Sequence, residues 1–246
     1  MRVPRLLVAP PLDSGPRVLE GDAAHHLLRV LRRRPGDSVE LFDGTGVVAQ
    51  ARVLAGDARR CTVEVEAILA SDGDESPLAV HLGLALLRGE RMDVALQKAC
   101  ELGVARITVL DTARVEVRLE GKRLENRLRH WQGVLVHAAQ QSGRARLPEL
   151  HGPVSLPAFC EGLVDGAPRL VLDPEGTPLT PEAEPPERAV LVTGPEGGLA
   201  PEDLAVLHAA GFHRTVLGPR VLRAETAPLA GLAVLQWLWG DLAGGP

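Results

Sequence analysis

Two stretches of this 246-residue chain concentrate side chains whose types and spacing could do chemistry. In Gly194-Pro195-Glu196-Gly197-Gly198-Leu199-Ala200-Pro201-Glu202-Asp203, three glycines surround a proline and a glutamate. Bare backbone there can approach a ligand closely and adopt conformations closed to other residues. A phosphate cradle is one use of such a loop. However, the stretch lacks the Gly-Lys-Ser or Gly-Lys-Thr of a P-loop, and Glu196, Glu202 and Asp203 would set negative charge where an anion sits. A neutral or cationic ligand suits it better, for example the sulfonium of S-adenosylmethionine (SAM), with the adenine held by backbone groups. A plain glycine turn with acidic helix capping would use the same residues. The second stretch, Leu217-Gly218-Pro219-Arg220-Val221-Leu222-Arg223-Ala224-Glu225-Thr226-Ala227, crowds two arginines and a glutamate into a turn between an apolar strand and an apolar helix. Charges at a strand end facing a cleft are suited to substrate work, although solvated turn charges look alike in sequence. Two glycine-proline loops at successive strand ends weigh for chemistry.

The elements that must position these loops are read from periodicity. Up to about residue 70 the chain gives short strands broken by turns, at 5–9, 38–44, 46–55 and 61–69, which is a small β domain. Its exception is 22–33, where Asp22 can cap a helix with Ala24, Leu27, Leu28 and Leu31 on one face and arginines turned outward. The acidic, turn-rich Ser71–Pro77 separates two periodicities, and the predicted domains are 1–72 and 73–246. Beyond it strands and helices alternate: strands at 78–87, 105–111, 169–173, 188–194 and 213–218, and helices at 90–103, 120–141, 201–211 and 226–239. That pattern predicts an α/β domain with a mostly parallel sheet covered on both faces. In such sheets ligands bind at the C-terminal ends of strands. Residues 173–176 (Asp-Pro-Glu-Gly), 194–198 and 217–226 sit at those ends.

Composition narrows the class. With 45% hydrophobic and 24% charged residues the chain is an ordinary globular protein, and no apolar run reaches the roughly 20 residues of a membrane helix. Prolines 4, 10 and 11 interrupt the only apolar stretch near the start, so a cytoplasmic protein is expected. Cys61, Cys100 and Cys160 are far apart and read as free thiols, and no histidine spacing suggests a metal site. A net charge of -5 excludes a uniformly basic coat, so a polyanion would have to meet a local patch. Two exist: Arg29, Arg32, Arg33 and Arg34, and Arg114, Arg118, Lys122, Arg123, Arg127 and Arg129. With three Phe, three Trp and no Tyr, platforms for stacking single-stranded bases are scarce, which favours recognition of RNA by shape.

The segments 25–37 (HHLLRVLRRRPGD), 98–107 (KACELGVARI), 140–144 (QQSGR), 194–199 (GPEGGL) and 217–227 (LGPRVLRAETA) together resemble the RsmE family, bacterial 16S ribosomal RNA uracil-N3 methyltransferases of the SPOUT superfamily. The matches keep the family's order and span almost the whole chain. The resemblance implies a PUA-like β-barrel at the N-terminus, a SPOUT α/β domain with a deep trefoil knot, a homodimer, and methylation of N3 of U1498 in the small subunit from SAM. It implies cofactor contacts at Leu172, Thr193, Gly194, Glu196, Gly198, Leu217, Gly218, Leu222, Arg223, Ala224 and Thr226, and no metal. RNA contacts are expected at Arg29, Arg32, Arg33, Arg34 and Arg144. His137 and Gln140 stand where the family commonly has acidic residues, and Leu199 replaces a frequent phenylalanine.

Uracil N3 is a weak nucleophile while it carries its proton, so the reaction needs deprotonation and stabilisation of charge on N3, O2 and O4. An arginine suits the second task and a carboxylate or water the first. The residues predicted to do this are Arg220 or Arg223 for the charge and Glu225 as base, with Arg223 alternatively on the cofactor carboxylate. Two other classes remain open at this point. A non-catalytic RNA-binding protein leaves the glycine-proline loops unexplained, and a nucleotide-dependent ligase leaves the arginine-rich first domain unexplained.

Overall fold

The computed structural model describes residues 3–57, 59–70, 75–116, 119–180 and 184–244. They form two compact units, Met1–Glu75 with Val136–Leu147, and Ser76–Leu135 with Pro148–Pro246. The expected boundary at 72/73 lies outside the described residues.

The first unit is built on β1 (Arg5–Leu7), β2 (Gly15–Glu20), β3 (Ser38–Phe42), β4 (Val47–Gly56) and β5 (Arg60–Ala70), in the sheet order β1-β3-β4-β5-β2. Only β1 and β3 are parallel. Alternation makes the core: Ala49, Ala51 and Val53 of β4 point inward with Val63 and Val65 of β5, while Gln50, Arg52 and Leu54 face outward. The predicted 22–33 helix is shorter, and its second half is wider wound than an α-helix. It runs as α1 (Gly21–His25) and then a π-helical turn over His26–Val30. Asp22 is not its cap; Glu20 occupies that position without a side-chain bond. Ala24 and Leu27 are buried on the predicted face, with Leu28 packed at its edge.

The second unit carries β6 (Ala79–Ala85), α2 (Glu90–Glu101), β7 (Arg106–Asp111), α3 (Gly121–Ser142, whose last turns group with the first unit), β8 (Glu149–Ser155), α4 (Leu156–Glu161), β9 (Arg169–Pro178), β10 (Arg188–Thr193), α5 (Pro201–Ala209), β11 (His213–Val216) and α6 (Thr226–Trp239). The six strands run in the order β11-β9-β10-β6-β7-β8, and every pair is parallel. Central β10 is buried on both faces, as a strand covered by helices must be. Its Val190 and Val192 pack with Phe159 of α4 and Leu207 of α5. On the opposite face Leu191 meets Gly231 of α6, where a Cβ would lie 2.7 Å from the leucine side chain. Glycine at 231 therefore sets how closely α6 can approach the sheet.

Strand β2, strand β8 and helix α4 were not expected. β8 contains Gly152-Pro153 and little apolar periodicity, and α4 has only 6 residues, started by Ser155 accepting from the Ala158 N–H and by Pro157. Among the described residues no helix is long and apolar enough to cross a membrane, no group of His, Cys, Asp or Glu could hold a metal, and the three cysteines are free.

Candidate active site

Because every strand of the second sheet runs the same way, the ends of β9, β10 and β11 deliver their following segments to one edge. There they line a cavity of about 790 Å³, within the range of small-molecule sites. The first wall is the excursion from β9. Register with β11 jumps from Val171↔Arg214 to Thr177↔Thr215, so Leu172–Gly176 bulges out while the strand resumes to Pro178. Residues 173–176, expected as a loop beyond the strand, are thus a bulge within it. Asp173 closes an Asx turn on the Glu175 N–H at 2.8 Å. Arg214 grips it through Nε–Oδ2 at 3.1 Å and Nη2–Oδ1 at 3.0 Å, and also reaches Glu175 at 2.9 Å. Burial opposes ionisation of Asp173, but the Arg214 guanidinium and the Glu175 N–H outweigh it and hold the carboxyl below its usual range.

The second wall is residues 194–198. A Cβ on Gly194 would lie 3.0 Å from the Leu199 nitrogen, and Gly198 takes a φ of +70°, so the tight turn requires glycine at both places. Arg114 donates to the Gly197 carbonyl at 2.8 Å. Asp203, 7% exposed, spends its two oxygens on the Ala200 and Ala113 N–H groups at 2.9 and 3.3 Å, so its charge serves the fold of this loop. Glu196 Oε1 accepts from the Arg88 N–H and from Arg91 Nη1, both at 3.1 Å. Desolvation raises the Glu196 pKa, yet these donors together carry it below the normal carboxylate value.

The third wall is the turn after β11. Arg220 and Arg223 are exposed, and neither guanidinium has a partner among the described residues. Glu225 is half-buried; its Oε2 has no hydrogen bond and faces Arg91 Nε at 3.9 Å. One cavity thus offers flexible cationic groups, constrained carboxylates and exposed backbone, a combination that can seat a zwitterionic, partly apolar ligand beside an anionic one.

Residues 74–236 match the family model of the RNA methyltransferase domain, and 19–66 match the RNA methyltransferase PUA domain. The chain is 34% identical over 231 residues to the ribosomal RNA small subunit methyltransferase E of Mycobacterium bovis, covering 90% of this chain and 87% of the relative. The chain belongs to the ribosomal RNA small subunit methyltransferase E family. Solved structures agree: the Neisseria gonorrhoeae family member, bound to SAM, superposes with a TM-score of 0.91 at 33% identity, covering 98% of this chain and 100% of that one. A Legionella pneumophila methyltransferase with bound SAM gives 0.92 at 34% identity, over 98% and 100% of the chains.

Of the residues that the family resemblance singled out, Leu172, Gly194, Glu196, Gly198, Leu217, Leu222, Arg223 and Ala224 line the cavity, together with Arg220 and Glu225. Thr193, Gly218 and Thr226 adjoin it in sequence without lining it. Thr193 is fully buried with an unpartnered hydroxyl, and Thr226 donates its N–H to the Arg223 carbonyl at 2.9 Å. Arg29, Arg32 and Arg34 are exposed in the first unit, and Arg33 is half-buried. Arg144 departs from expectation. Its side chain is 10% exposed and paired with Glu75 at 2.7 Å inside the unit, unlike the exposed Arg29, Arg32 and Arg34. Arg118 of the second basic cluster lies outside the described residues. Sequence reasoning missed Arg91 and Arg214, which sit in elements read only for their apolar periodicity; no local signal marks either.

Proposed function

We propose that this chain uses SAM to methylate N3 of a uridine in 16S ribosomal RNA, U1498 by family resemblance, on the small ribosomal subunit. The observation that carries this reading is the convergence of Leu172, residues 194–198 and residues 217–226 on one cavity, where the Arg220 and Arg223 guanidinium groups have no partner among the described residues. Family membership supports it, as do the structural relatives crystallised with SAM.

The residues present fit the cofactor. The turn at Gly194 and Gly198 leaves room for backbone to meet an adenine, and Leu172, Leu217 and Leu222 supply apolar lining. When bound, SAM supplies an electrophilic methyl with a good leaving group. The chain's own contribution is alignment and charge: a fixed approach accounts for much of the rate, and Arg220 or Arg223 stabilises the anion spread over N3, O2 and O4. Glu225 is the carboxylate placed to take the N3 proton or to order a water that does. No metal takes part in this scheme.

In the same reading residues 1–72 form the PUA-like RNA-binding domain and 73–246 the SPOUT domain, whose cavity loops thread a trefoil knot. Arg29, Arg32, Arg33 and Arg34 contact phosphates, which fixes position without reading bases. The enzyme works as a cytoplasmic homodimer. The test is transfer of labelled methyl from SAM to small subunits lacking the modification, in the presence of a chelator, followed by nucleoside mass analysis. Label recovered as 3-methyluridine supports the assignment; label on another base or on ribose, or loss of transfer on chelation, overturns it.

A further inference from the structure

Arg91 occupies the second position of α2, where a cation meets the positive end of the helix dipole and is disfavoured. Of the two acidic residues in the same turn, Glu90 and Asp93, Asp93 is engaged by His130 at 2.8 Å. The counter-charges that Arg91 itself faces are in the cavity. Nη1 of Arg91 lies 3.1 Å from Glu196 of the second wall, and Nε lies 3.9 Å from Glu225 of the third. The residue is also anchored from behind. Gly89, at φ +56°, turns the chain so that the Arg88 N–H donates to the same Glu196 oxygen, and the Arg88 side chain is paired with Glu116. The short segment 88–91 thus grips one wall through two donors and reaches the other through one guanidinium. Among the described residues Glu225 Oε2 is buried without a hydrogen bond, and Arg91 is the cation within ion-pair distance of it, so losing Arg91 would leave that oxygen desolvated.

We infer that Arg91 is a positioning residue that ties the two cofactor-cavity loops together through Glu196 and Glu225, setting the width of the cavity before any ligand enters. This rests on the reading of that cavity as the SAM site. A planar fork is suited to bridging two carboxylates at fixed spacing, and an ammonium reproduces the charge but not the span. The role is to pre-organise the loops, so its loss falls on cofactor affinity and leaves RNA affinity alone.

The experiment compares wild type, Arg91→Ala and Arg91→Lys by hydrogen exchange of the free protein and by calorimetry with SAM. Arg91→Ala is expected to raise exchange in both 194–199 and 217–226 while β6, β7 and β10 stay protected. It should weaken SAM binding on the order of tenfold, the size expected when two partly exposed ion pairs are lost together. The KM for SAM rises with little change in the KM for RNA, and Arg91→Lys recovers part of the loss. Exchange that changes in neither loop, or in only one, overturns the tie, as does SAM affinity equal to wild type in Arg91→Ala. If the wild type itself binds no SAM, the functional reading fails, while the exchange comparison still decides whether Arg91 couples the loops.

Discussion

His81 on β6 and Thr108 on β7 face each other across the sheet, with 2.8 Å between Nε2 and Oγ1. The edge of the imidazole packs on Phe159, with ring centroids 5.1 Å apart. Burial, then the charges of Arg106 and His151, push the His81 pKa down to about 4; Glu149 opposes them. The ring is therefore folded into the sheet neutral. An unfolded chain takes up the proton first, near pH 6.5, so the stability tied to this group is complete above that value and is lost as pH falls towards about 4. The loss is on the order of 2 kcal/mol after allowing for partial exposure of the ring. His81→Gln should show a shallower fall of the urea midpoint across that range than wild type. Parallel curves for the two proteins would refute the linkage.

Arg32 is the one described non-glycine residue with a positive φ, +53°. Arg32→Gly removes both the charge and the strained conformation, so it should stabilise the fold by roughly 0.5 kcal/mol while lowering the salt slope of RNA binding by about 1. Replacing Arg32, Arg33 and Arg34 together by alanine should flatten the slope further and leave SAM affinity unchanged. A triple variant that methylates at the wild-type rate with limiting RNA and raised salt would remove the first unit from RNA anchoring.

Among the described residues Arg220 and Arg223 have no partners to lose, so their removal reports on ligands and not on folding. Arg220→Ala should slow single-turnover methyl transfer by on the order of 10² to 10³, as for one preorganised charge donor, with unchanged thermal midpoint and RNA affinity. An unchanged rate passes the role to Arg223, and the corresponding variant of that residue then carries the loss.

Trp237 of α6 is 60% exposed beside half-buried Val234 and Leu238, and Val94 of neighbouring α2 is 42% exposed. Leu232, Leu235 and Trp239 fill the chain's own core, so in the proposed homodimer this outward set is the expected interface. Light scattering at micromolar concentration should give a dimer for wild type and a monomer for Trp237→Glu, without a lowered melting temperature for the monomeric fold. A monomeric wild type would contradict the assignment.

What the sequence determined by itself is local. Alternation placed β4 and β5, apolar runs placed β6, β7, β10 and α6, an apolar stripe placed α2, and Pro201 with Gly211 placed α5, all close to their final bounds. The glycines of 194–198 and the charges of 217–226 marked two walls of the candidate cavity. The tertiary structure decided the rest. It gave Arg91 and Arg214 their carboxylate partners, 105 and 41 residues away in sequence, and pairs at such distances leave no periodic trace. It turned 173–176 into a bulge, because β11 resumes pairing only at Thr177. It also paired Arg144 with Glu75: composition cannot separate an arginine in solvent from one buried against a carboxylate, and only packing distinguishes the two.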